Sequence, residues 1–294
     1  KWHDEARAAQ RAADLLRDVS NDHLFGIDFN PLLVRAAQMN LVMHGDGSTN
    51  VYHANSLLPP GEWSREPPND VYHNVRPGRY DIVVTNPPFG SQISIDDMHI
   101  LDQFELAKFD IEAAQCRASM PPEQLFIERC LYLLKPGGRM AIVLPDSILS
   151  NPGLTFIRRW ILKRARLLAS VDLPQVTFEP YTGTQTSVLL LQKKTADEME
   201  WEKMTSTHVD YQVFMTTPQA VGHDRRGQPH YLRTPEGKLI EHEETVPVMR
   251  RTDQGTKVEH RTRQRKLLHD DLPEVARYFR EWITQPERMR WLNG

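Results

Sequence analysis

The chain has 294 residues, 39% hydrophobic and 26% charged, the balance of an ordinary globular protein with ample length for a buried core. A net charge of −3 with a pI near 6.5 argues neither for nor against a nucleic-acid partner; a domain binding DNA through phosphates alone is normally more basic, so local basic patches or a partner subunit would supply much of the affinity. No apolar run approaches the ~20 residues that span a bilayer, and the charged start Lys1-Trp2-His3-Asp4-Glu5 has no apolar signal core, so a cytoplasmic protein is expected. Residues 1 to 17 read as a helix, with Ala6, Ala9, Ala13 and Leu16 at helical spacing. The run from His23 to Asp28 reads as a short buried strand. Asn30 can cap a helix whose first turn suits Pro31, with Leu33, Ala37 and Leu41 on one face and a stop near Gly45. Val51 to Ala54 is a second strand candidate, and residues 59 to 79, rich in Pro, Glu, Asn and Arg, read as an exposed loop.

Tyr80 to Thr85 is a third strand, buried, ending at Asn86-Pro87-Pro88-Phe89, after which a long irregular stretch runs to about Pro122. A helix from Glu123 to Leu134 is expected to stop at Lys135-Pro136-Gly137-Gly138, and a strand buried on both faces to follow from Arg139 to Leu144. A helix from about Leu154 to Arg166 presents Arg158, Arg159, Lys163, Arg164 and Arg166 as a solvated side. Strands at Leu167 to Val171 and Thr186 to Gln192 come next. The alternation predicts an α/β fold, doubly wound, with a mostly parallel sheet and ligands at the strands' carboxyl ends. Residues 1–195 are expected to form the main domain and 196–294 a smaller tail. The tail reads as hairpin-rich, with turn signals at Gly222, Gly227 and Gly237 and a basic run from Arg250 to Lys266. That run is either a phosphate contact or a flexible exposed segment. A last helix from Leu272 to Ile283 carries Leu272, Val275, Phe279 and Trp282 in register, as a partner-docking stripe or as core.

The chemistry lies in Asn86-Pro87-Pro88-Phe89, placed where a doubly wound fold has its active site. A strand-terminating turn is the plain alternative, since prolines stop strands. An aromatic amino group such as adenine N6 is a poor nucleophile because its lone pair is delocalised. The Asn86 side-chain oxygen and the Pro87 carbonyl can each accept a hydrogen bond from it, favouring a tetrahedral nitrogen and stabilising developing positive charge. The prolines stiffen the corner, and Phe89 offers a face for an extruded base.

This tetrapeptide resembles the catalytic motif of S-adenosylmethionine-dependent amino-methyltransferases acting on DNA adenine, some cytosines, RNA guanine or protein glutamine. The resemblance implies a class I, Rossmann-like methyltransferase fold. It makes Asp28 the carboxylate for the cofactor ribose hydroxyls, Phe29 a neighbour of the cofactor adenine, and Asn55 the acceptor for its amino group, where the family usually carries aspartate. A cap or turn role is the alternative for Asp28 and for Asn55, and a buried strand-end aromatic for Phe29. Leu125-Phe126-Ile127-Glu128, Leu134 to Arg139, Val143-Leu144-Pro145, Leu173-Pro174 with Phe178, Tyr181 to Leu189, Gly222 to Gly227 and Asp270 to Pro273 resemble the modification subunits of type I restriction-modification systems. That subgroup implies site-specific DNA adenine-N6 methylation, with DNA, a specificity subunit and a restriction subunit as partners. The family's first motif, a glycine-rich turn after its first strand, has no Gly-x-Gly counterpart here, so the chain is expected to lack that strand and to be a segment of a longer protein.

The competing expectations are methylation of rRNA guanine, protein glutamine or cytosine N4, and a catalytically silent scaffold for a specificity subunit. A cytosine-C5 enzyme needs a thiolate after proline, and neither Cys116 nor Cys130 follows one. Both cysteines are expected as reduced, packed thiols. No metal site is expected from the scattered histidines, and no phosphate-cradling Gly-x-x-x-x-Gly-Lys-Ser/Thr occurs.

Overall fold

The structure, a computed structural model, describes residues 11, 14–15, 18–19, 21–43, 50–90, 93–109, 115–252 and 255–288. Most of the helix expected over residues 1–17 lies outside them; residues 11, 14 and 15 are helical. Strand β1 (Gly26–Asp28) pairs parallel with β2 (Val51–His53), Asp28 standing opposite His53. Between them runs α1 (Pro31–Met43), capped by the Asn30 side-chain oxygen, which accepts the Leu32 N–H at 2.9 Å. Its inner stripe is Val34, Ala37, Gln38 and Leu41, residues at i, i+3, i+4 and i+7. The expected stripe began one residue early: Leu33 is 56% exposed, about 100° around the helix from Val34.

Residues 59–79 are not the exposed loop their composition suggests. A 3-10 turn (Pro60–Glu62) and a short helix α2 (Val71–Asn74) place Trp63, Val71 and Val75 in an apolar cluster with Tyr52. Isolated apolar anchors among polar residues leave no periodic trace, which is why pattern reading missed them. Strand β3 (Tyr80–Thr85) appears where expected, but it is not buried: Ile82 is 65% and Val84 74% exposed. The stretch before Pro122 holds a short helix, α3 (Met98–Leu101), and buries Leu101, Phe104, Leu106 and Met120.

Helix α4 (Pro122–Leu133) runs directly into β4 (Leu134–Pro145), a strand twice as long as expected. Lys135 to Gly138 do not end the helix as a free turn; they form an irregularity inside β4. The pairing with β3 slips between Tyr80↔Leu134 and Ile82↔Arg139. Gly137, at φ 76°, takes the left-handed conformation this bulge needs.

A short helix α5 (Ser147–Ser150) precedes α6 (Thr155–Arg164), which buries Ile157, Trp160 and Ile161. The basic side expected on α6 is smaller than the sequence suggests. Arg164 pairs with Glu105, and Arg166 is a buried residue of β5 (Ala165–Asp172) paired with Glu198. After β6 (Thr186–Lys193) comes α7 (Ala196–Thr205), unforeseen in the polar tail although Thr195 and Glu198 form a reciprocal capping box.

Strand β7 (Phe214–Thr216) pairs parallel with β5, completing a five-stranded sheet of order β3-β4-β6-β5-β7. The expected division at residue 195 therefore does not fall at the sheet's edge. By contacts the chain divides into two units, one of Lys1–Ile142, Phe156–Arg166 and Gln192–Ser206, the other of Val143–Thr155, Leu167–Leu191 and Thr207–Gly294. In the second unit, β8 (Glu241–Thr252) and β9 (Gly255–Lys266) form an antiparallel ribbon, a sheet of its own. Helix α8 (Leu272–Ile283) lays Phe279 and Trp282 against Phe214 at ring distances of 5.5 and 5.7 Å, so its aromatic stripe packs on β7, with all three rings half-buried. Both cysteines are free, buried thiols. Among the described residues no helix is long and apolar enough to cross a membrane.

Candidate functional site

Parallel pairing of β1 with β2 brings the loops after both strands to one end. Asp28 is half-buried there; its Oδ1 accepts the Asn30 N–H at 2.6 Å, and its carbonyl accepts the Ala54 N–H at 3.1 Å. No described residue bonds Oδ2, which keeps acceptor capacity beyond the turn. Phe29 is not a packed strand-end aromatic: it is 72% exposed, with His53 Nε2 2.9 Å from its carbonyl and the two rings 6.3 Å apart. The Asn55 side-chain oxygen is already engaged, accepting the Leu57 N–H at 2.9 Å, while its carbonyl takes Trp63 Nε1 at 3.1 Å. A carbonyl oxygen has two lone pairs, so one acceptor position on Asn55 is still available.

What holds the Asn55 loop was not anticipated from sequence. Arg129 of α4 is 4% exposed, and its Nη2 donates to the Leu58 carbonyl at 3.1 Å and to the Gln103 side-chain oxygen. Gln103 Nε2 in turn donates to the Leu57 carbonyl at 2.6 Å. The guanidinium also lies 5.8, 5.0 and 5.4 Å from the ring centres of Trp63, Phe104 and Tyr132. Burial lowers its pKa to about 10, still charged at neutral pH. The available signal was a basic residue four positions after Leu125 on a helix whose other buried positions are mostly apolar.

At the end of β3, Asn86 is exposed, Pro87 buried, Pro88 exposed and Phe89 half-buried. Pro87 thus anchors the corner, while the Asn86 side chain bonds no described residue and stays available to a ligand. Gly90, at φ 137°, turns the chain in a conformation that favours glycine. The Glu123 carboxylate, 5% exposed, accepts the Gly90 N–H, and its Oε2 has no partner among the described residues. Burial raises the pKa of this carboxyl, and the bonds from Gly90 and from its own backbone N–H only partly oppose that. Glu123 braces the tetrapeptide's far end, a role no motif announces.

One cavity lies next to these positions, although Asp28, Asn55 and Asn86 do not themselves line it. A space of about 510 Å³ is lined by Ile27, Ser56 and Thr85, the immediate neighbours of Asp28, Asn55 and Asn86. Phe25, Gly26 and Ile27 form one wall and Ile82, Val83 and Val84 another. Among the described strands β1 pairs only with β2, and β3 only with β4, so each presents an unpaired edge here.

A profile of the N-6 DNA methylase family matches residues 8–219. The chain belongs to this family. It is 27% identical over 181 residues to the methylase subunit of the type I restriction enzyme EcoEI of Escherichia coli, an alignment covering 60% of this chain and 32% of that protein. It is 28% identical over 179 residues to the StySPI methylase subunit of Salmonella potsdam, covering 60% and 30%. The chain thus spans about a third of the length of these relatives. A crystal structure of the type I restriction-modification methyltransferase subunit from Streptococcus thermophilus superposes with a TM-score of 0.39 at 21% identity, covering 63% of this chain and 43% of that one.

Proposed function

We propose that this chain is the catalytic part of a site-specific DNA adenine-N6 methyltransferase, the modification subunit of a type I restriction-modification system, working with a specificity subunit and a restriction subunit. The observation that carries the reading is Asn86-Pro87-Pro88-Phe89 directly after β3, whose last residue Thr85 lines the same cavity as Ile27 and Ser56, the neighbours of Asp28 and Asn55. S-adenosylmethionine fits the donor set: Asp28 Oδ2 for the ribose hydroxyls, the exposed Phe29 ring for the adenine face, and the spare Asn55 lone pair for its amino group. When bound, it supplies an electrophilic sulfonium methyl group.

The protein's own part is electrostatic. Asn86 Oδ1 and the Pro87 carbonyl accept the target amino hydrogens and hold the nitrogen lone pair available for attack. The proton shed afterwards passes to water. Phe89 stacks the extruded base, and Pro87, Gly90 and Glu123 keep the corner from relaxing.

The cavity also suits one more strand, bearing the glycine-rich turn that the family resemblance implies. Parallel strands on either side offer it two edges, and the walls offer it Phe25, Ile82 and Val84.

The test is methyl transfer by the full-length protein from labelled S-adenosylmethionine to duplex DNA, followed by nucleoside analysis. Label should appear in N6-methyladenine. Asn86→Ala should slow transfer by about 10²–10³-fold while calorimetric binding of S-adenosylmethionine persists. Undiminished transfer in that variant, or label in cytosine, refutes the mechanism. A protein that binds no S-adenosylmethionine is a scaffold instead.

A further inference from the structure

We propose that one face of the β8–β9 ribbon is a contact surface for the phosphate backbone of double-stranded DNA; this rests on the DNA reading above and adds a site to it. The two strands pair without slippage from Glu241↔Lys266 to Thr252↔Gly255. At a rise of ~3.4 Å per residue they make an arm about 40 Å long. Its width is that of the elements the major groove of DNA admits, a helix or a two-stranded ribbon.

Side chains alternate between the faces of a strand, and the sequence uses that alternation to separate charge. Along the six pairs from residue 241 to 246, one face carries Arg261, Arg263 and Arg265 opposite Val246, Glu244 and His242. The other carries Thr262, Gln264 and Lys266 opposite Thr245, Glu243 and Glu241. Three guanidinium groups against one carboxylate make the first face positive. One ammonium against two carboxylates makes the second negative.

All three arginines are exposed. Arg263 and Arg265 both reach Glu244, at 3.0 Å each, so one carboxylate is shared between these two cations. Exposed pairs of this kind are worth little and exchange readily, whereas phosphate oxygens match the guanidinium fork. Arginine at all three positions, spaced ~6.8 Å apart by the two-residue strand repeat, is a pattern suited to a regular polyanion. In a chain of net charge −3, a local positive surface of this kind is where attraction to DNA phosphates would concentrate.

The test is anisotropy of a short fluorescent duplex, titrated with the full-length protein across a salt series. Each phosphate contact contributes about 0.9 to the slope of log affinity against log salt. Arg261→Gln, Arg263→Gln and Arg265→Gln combined should therefore lower that slope by about 2–3 and weaken binding evenly across sequences. The corresponding lysine triple should keep most of the slope. Glu244→Gln should tighten binding, an effect that a purely structural role for the ribbon does not produce. Equal slopes for wild type and the glutamine triple overturn the ribbon proposal and leave the DNA reading standing. A wild-type protein that binds no duplex overturns both.

Discussion

Replacing Arg129 by methionine sets two effects of similar size against each other. In the wild type its Nη2 serves the Leu58 carbonyl and the Gln103 side-chain oxygen and lies 3.4 Å from the Leu57 carbonyl. Leu57 keeps the bond from Gln103 Nε2, so methionine strands two acceptors and not three. Each stranded buried acceptor costs about 1–3 kcal/mol, giving about 2–6 kcal/mol in all.

Against this stands relief from burying a cation. Depression of the pKa from 12.5 to about 10 corresponds to about 3 kcal/mol. Lost contacts with Trp63, Phe104 and Tyr132 return about 1 kcal/mol to the first side. The balance lies between about 0 and a loss of about 4 kcal/mol, centred near a loss of about 2 kcal/mol and read as a lower urea midpoint at unchanged m. Hydrogen exchange at Leu57, Leu58 and Trp63 should accelerate with it. Pairing the change with Gln103→Leu in a double-mutant cycle should reveal coupling of about 1 kcal/mol. A methionine variant more stable than wild type would mean that desolvation outweighs the hydrogen bonds, as happens when buried ions are replaced whole, and would refute the reasoning.

Two further outcomes are expected. Burial holds the Glu123 carboxyl above its ordinary 4.5, so the folded state keeps its proton to higher pH than the unfolded state and stability falls as pH rises through that window. Glu123→Gln should flatten this part of the thermal-stability profile and gain on the order of 1 kcal/mol at neutral pH; an unaltered profile would count against the assigned burial. At Gly138 an added Cβ would sit 2.9 Å from the Lys135 carbonyl and 3.0 Å from the Tyr80 carbonyl, backbone atoms that cannot swing aside. Gly138→Ala should therefore destabilise by about 1–3 kcal/mol. Gly61→Ala, with nothing within 4 Å, should not, and equal melting temperatures for the two would be the contrary result.

The strands at Tyr80 to Thr85 and Thr186 to Lys193 were legible because runs of apolar and β-branched residues can do little else. The same reading put Asp28 at the end of one strand and Asn86 just after another, which is where they lie. It failed where the determinant is tertiary. Nothing local distinguishes Arg166, buried against Glu198, from its exposed neighbour Arg159. Nor does a Lys-Pro-Gly-Gly sequence declare whether it ends a helix or bulges a strand; the pairing of Tyr80 with Leu134 decides that. The braces Arg129 and Glu123 escaped for the same reason, because each acts on a loop distant in sequence. The helix Ala196–Thr205 is a different failure: its Thr195–Glu198 cap was readable and was passed over in a polar stretch.

The unpaired flank of β3 has a practical side. Ile82 and Val84 stand in water beside backbone groups that have no ladder to join, the combination that recruits identical edges from other molecules. This edge should make the chain self-associate in concentrated solution, and a charged residue in place of Val84 should restore dispersity.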